Sequence, residues 1–178
     1  ILLFYDSLDL VFPDKPLVVL GATAFATFLP MHVAVTAAVN NDTLAELLLL
    51  AVIAVLLRWS RDLFMQRVTP PTQSRRQLLV LGLLLGLGLL TKVYAYLFIP
   101  LTALAIVVTV WQQKRTWRAL WVGLQLTLWA LVPAFLLGLP WWVRNLQLYG
   151  GWDILGLAWH DEVVVGQPLT LDWINTHG

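Results

Sequence analysis

Residues 77–110 read QLLVLGLLLGLGLLTKVYAYLFIPLTALAIVVTV, a run whose one charged residue is Lys92. As a single helix it would be roughly 50 Å long, against a hydrocarbon core of about 30 Å. Two spans joined at Thr91-Lys92-Val93-Tyr94 fit the bilayer better, although neither Gly nor Pro marks a turn there. Basic residues decide the matter. One cluster holds Arg58, Arg61, Arg67, Arg75 and Arg76 around Pro70-Pro71, and a second holds Lys114, Arg115 and Arg118. With Lys15 these are nine of the eleven Lys and Arg residues. A hairpin at 91–94 puts all nine on one side of the membrane, as the positive-inside rule requires, whereas a single span would divide them.

The rest of the chain follows from that hairpin. Apolar stretches at 16–38, 43–58, 77–91, 94–110 and 119–139 predict an all-α, polytopic transmembrane bundle of about five spans. Pro30 and Pro133 are expected to kink the first and last of these. The stretch 43–58 is short and calls for a thinned bilayer or cover from protein. Trp59, Trp111, Trp117 and Trp121 mark the basic interface, and Trp141 and Trp142 the opposite one. The tail 140–178 is the least apolar part and is expected to lie on the outer surface, apart from the bundle at 1–139.

Composition agrees. The 178 residues are 60% hydrophobic and 12% charged, with a mean hydropathy of +0.79. Soluble domains carry roughly 25% charged residues. A net charge of +1 speaks against nucleic acid as a partner. The absence of cysteine excludes a disulfide framework and a thiolate metal site. The chain opens at Ile1 without a signal-peptide pattern, and it is read as an internal piece of a longer protein.

Ionisable residues at membrane depth or at the outer edge are where function is sought. Asp42 suits a helix N-cap, and equally a carboxylate facing a cavity as metal ligand or substrate anchor. Glu46 lies one turn deeper on the same face and is expected to point into the bundle. Lys92 is either a residue snorkelling to headgroups or a point charge that captures a lipid-linked phosphate. Arg144-Asn145 offers a phosphate fork or an interfacial anchor. His160-Asp161-Glu162 has metal-type side chains, but adjacent residues seldom converge on one ion, and a solvated loop is the plainer reading. His32 reads as a packed core histidine. Gly82 and Gly86, four apart, suit close helix packing. Together Asp42, Glu46, Lys92, Arg144 and Asn145 are expected at the outer face, a set that suits an amphiphile with a phosphate and a polar headgroup.

Three segments resemble the polytopic GT-C glycosyltransferases, the group that includes protein O-mannosyltransferases and the aminoarabinose transferase of lipid A. They are Leu29-Pro30-Met31-His32 through Asn40-Asn41-Asp42-Thr43-Leu44-Ala45, then Gly86-Leu87-Gly88-Leu89-Leu90-Thr91-Lys92, then Pro140-Trp141-Trp142-Val143-Arg144-Asn145 with Leu148-Tyr149-Gly150. The resemblance covers roughly residues 16–160. It implies a transferase that takes a sugar from a polyprenyl-phosphate donor at the extracytoplasmic face of a bacterial plasma membrane. In that reading Asp42 matches an acidic position near the donor or a divalent metal, and Lys92 the lysine that holds the lipid phosphate. The family's general base lies on a first outer loop. Asp6, Asp9 and Asp14 fall on the basic side instead, so that base is expected upstream, and this piece alone is expected to be inactive. The alternative is a secondary transporter or flippase, disfavoured because the ionisable residues crowd one face and no repeat is visible. A non-catalytic membrane subunit is a third reading, against which the recessed Glu46 and Lys92 count.

Overall fold

The computed structural model describes residues 1–38, 40–65, 71–149, 151–157 and 170–177. Among these the chain is entirely helical. In order come α1 (Leu2–Val11), α2 (Pro16–Thr27), α3 (Pro30–Ala37), α4 (Asp42–Phe64), α5 (Pro71–Thr91), a 3-10 turn (Val93–Leu97), α6 (Phe98–Lys114), α7 (Trp117–Tyr149) and α8 (Thr170–His177). Four helical stretches are long and apolar enough to cross a membrane, and the bent α2–α3 pair makes a fifth. The all-α, membrane-spanning reading therefore stands. Two compact units are present, residues 1–138 and 139–178.

The break between α2 and α3 follows from Pro30. Its ring clashes with the carbonyl four residues back and supplies no N–H, which kinks or breaks a helix. The residue before a proline is pushed out of the α region. Leu29 accordingly sits at φ −62, ψ 121, and the two halves meet at 57°. By contrast α7 is helical throughout Pro133 and Pro140 and continues to Tyr149.

Two helices run past the expected span ends. The stretch 43–58 is the first part of a 23-residue helix, Asp42–Phe64. At 1.5 Å per residue that is about 34 Å, enough to cross an ordinary bilayer without thinning. Arg58 and Arg61 end an apolar run without ending a helix, because backbone hydrogen bonding is indifferent to side-chain polarity and long side chains can reach headgroups. Residues 140–149 form the last turns of α7. In addition α1, which the hydropathy pattern did not announce, ties Asp6 Oδ2 to Arg58 Nη2 at 3.1 Å.

The run 77–110 is two helical spans. Lys92 is extended at φ −151, ψ 144, and the chain turns into the 3-10 segment before α6. Helices α4 and α5 run antiparallel, joined at one end by Trp59 Nε1 donating to Ser74 Oγ (2.8 Å) and Gln77 Nε2 donating to Asp62 Oδ2 (3.1 Å). The core between them includes Leu49, Val52, Trp59, Leu78, Leu81 and Leu85. Gly82 and Gly86 lie against the backbone of Ala130 and Ala134 on α7, where a Cβ on either glycine would strike main-chain atoms. Small residues four apart on both helices allow that approach.

Candidate functional site

The site grows from two helix ends. Asn40 Oδ1 accepts the Asp42 amide (2.9 Å) and starts α4. Asp42 is thus in the first turn, and the N-cap position belongs to Asn41. Asn41 turns its side chain across, Nδ2 donating to the Thr91 carbonyl at 3.0 Å, one of the orphan acceptors ending α5. Asp42 at a helix N-terminus and Lys92 just past a C-terminus each suit the local helix dipole. They meet there, with Lys92 Nζ 2.9 Å from Asp42 Oδ1. Each side chain remains about a third exposed, 32% for Lys92 and 35% for Asp42.

Glu46 lies one turn further along α4, and its Oε2 is 3.5 Å from His32 Nδ1. His32 was expected in a packed core. It is instead partly exposed, because the Pro30 break swings α3 across the start of α4. Hydropathy reading could not see this partner, since the break angle sets it. The usable signal was the proline itself, two positions before the histidine.

Below these groups lies an open cleft of about 430 Å³. Asp42, Glu46 and Tyr94 line its polar end, and Leu50, Ile53 and Phe98 its apolar length, with Val35 of α3 also on the wall. From Asp42 to Ile53 the α4 wall descends about 16 Å at 1.5 Å per residue. The volume is in the range of small-ligand sites. An apolar trough headed by four ionisable side chains can hold a molecule with a charged head and a hydrocarbon tail. With His32 neutral, those four side chains sum to −1.

Arg144 and Asn145 belong to the second unit. The Arg144 guanidinium lies over the Trp141 ring, 5.0 Å from its centroid, and Nη1 donates to Asn145 Oδ1 at 3.4 Å. Asn145 is fully buried and donates through Nδ2 to the Ile154 carbonyl at 2.8 Å. Gly156, at φ +73, lets the chain turn back against the Tyr149 ring. Asn145 is thus held inside its unit, while Arg144 stays exposed with most of its N–H donors open. His160, Asp161 and Glu162 lie outside the described residues.

No three His, Asp or Glu side chains converge among the described residues. Asp42, the candidate ligand, faces the Lys92 ammonium group, and a Mg²⁺ held there by one or two carboxylates with water and substrate phosphate would have to displace it. Comparison of the chain with family models, curated proteins and solved structures returned no match.

Proposed function

We propose that this chain forms the donor-binding part of a membrane glycosyltransferase that takes its sugar from a polyprenyl-phosphate carrier at the extracytoplasmic face. One observation carries the reading: a charged cluster heads an apolar cleft that runs down a membrane-spanning helix. The resemblance of the Leu29–Ala45 and Gly86–Lys92 segments to GT-C enzymes supplies the chemistry. The prenyl chain lies along Leu50, Ile53 and Phe98. The phosphate takes Lys92 from Asp42, and the released Asp42 and the Glu46–His32 pair accept or donate to sugar hydroxyls. Transfer forms a bond from the acceptor oxygen to the anomeric carbon as the bond from that carbon to phosphate breaks. The phosphate leaves as an anion and needs no proton. Lys92 stabilises the charge that develops on it. The acceptor proton goes to a base outside these residues.

Native mass spectrometry of the protein with polyprenyl phosphate tests this. Wild type is expected to retain the lipid, and Lys92→Ala to retain it about tenfold less, the loss of one charge-assisted contact. Asp42→Asn, which removes the competitor for Lys92, is expected to retain it at least as well as wild type while losing sugar transfer. Equal retention by wild type and Lys92→Ala would remove the basis of the proposal.

A second reading, a secondary transporter, draws on the α2–α3 break beside the site, since transporters build substrate sites on interrupted helices. Substrate flux in proteoliposomes, combined with no lipid retention, would favour it.

A further inference from the structure

A second cleft, of about 320 Å³, lies at the opposite end of α4 and α5, lined by Val55, Arg58, Arg76, Gln77 and Val80. Its grading follows from the antiparallel helices. Val55 and Val80 are the positions nearer the middle of their helices, and Arg58 and Arg76 the positions nearer the basic ends. The floor is therefore apolar and the rim cationic.

The other charged groups of that end leave the two arginines usable. Asp62 accepts from Gln77 and is held within the α4–α5 pair. Arg75 is stacked on Trp129, 5.1 Å from the ring centroid. Arg58 shares one N–H with Asp6, and both side chains are 49% exposed, so four of its five donors remain. Arg76 is exposed and has no partner among the described residues. Arg58, Arg61 and Arg76 against Asp6 and Asp62 sum to +1, opposite in sign to the charge at the Asp42 end. The Trp59–Ser74 bond fixes the helix spacing beside the cleft.

We propose that this cleft binds the headgroup of an anionic phospholipid, its phosphate diester on Arg58 and Arg76 and its upper acyl chain against Val55 and Val80. Guanidinium groups suit phosphate oxygens through paired N–H donors. Basic pockets between spanning helices on the positive side face the leaflet that carries anionic lipid. The site is separate from the donor cleft and does not depend on the proposed transferase activity. It assigns the basic end of the bundle a lipid that anchors it and sets its depth.

The test is native mass spectrometry of the protein released from nanodiscs of mixed phosphatidylglycerol and phosphatidylcholine. The variants are Arg58→Gln/Arg76→Gln, Arg118→Gln as a control for net charge, and Val80→Phe, which fills the floor and keeps both cations. Thermal unfolding of each variant shows that it is folded. Wild type is expected to keep phosphatidylglycerol in preference to phosphatidylcholine. The double variant is expected to lose that preference by about tenfold or more. Val80→Phe should lower it, and Arg118→Gln should match wild type. Unchanged preference in the double variant would overturn the site, as would an equal loss in Arg118→Gln. Stabilisation by inorganic phosphate equal to that by the lipid would instead make free phosphate the ligand and overturn the lipid assignment.

Discussion

The two ends of the α4–α5 pair use polar groups in opposite ways. At the basic end, Trp59 is fully buried and bonds to the buried Ser74, and Ser60 Oγ lies 3.3 Å from Thr109 Oγ1. There, too, Gln113 Nε2 donates to the Leu63 carbonyl at 2.6 Å. These contacts join α4 to α5 and α6 with neutral bonds. At the other end the contacts are ionic, partly exposed and set at the head of a cleft. A buried neutral bond is costly to break and holds helices in place. A half-exposed ion pair contributes little to stability and can be exchanged for a ligand. The difference indicates where the bundle is clasped: at the basic end the buried bonds hold the helices while only the exposed rim of Arg58 and Arg76 is left for a ligand, whereas at the other end the interhelix ion pair itself can be exchanged.

Three experiments put numbers on that contrast. The largest effect is expected for Trp59→Ala, a loss of about 3 kcal/mol, at the low end for truncating a buried Trp because lipid rather than water surrounds the bundle. Thermal unfolding in micelles would check it. Next is Ser74→Ala, which strands the Trp59 N–H in the core and is expected to cost about 1–2 kcal/mol. A cost near zero would mean that the neutral clasp is not a clasp. The smallest effect is expected from the Asp42→Asn/Lys92→Met double-mutant cycle, with a coupling below about 1 kcal/mol after allowance for solvent screening. A coupling of several kcal/mol would reverse the comparison and make the ion pair part of the scaffold.

Much of this fold was legible in advance. Hydropathy located the spans, and the distribution of Lys and Arg separated 77–91 from 94–110. The i, i+4 spacing of Asp42 and Glu46 put both on one wall, and both line the cleft. What could not be read was register between helices. That Lys92 meets Asp42, fifty positions away, depends on how α5 lies along α4, which one-dimensional periodicity does not encode. The His32–Glu46 contact depends on a bend angle. Hydropathy does not mark the helix ends near Arg58 and Pro140 either, because a spanning helix can carry a terminal arginine and tolerate a proline when neighbouring groups compensate.

The turn between α6 and α7 has a consequence for how the chain is oriented. Only Arg115 and Thr116 separate the two helices, with Arg115 in the left-handed region at φ 44, and Gly123 brings the α7 backbone against Val107 on α6. So short a connection leaves α7 no path but back along α6, and Arg115 and Arg118 hold its tip at one face of the membrane. Lengthening it with neutral residues would free the orientation of α7 from that of α6, and the orientation of everything after Trp117 would then rest on α7 alone.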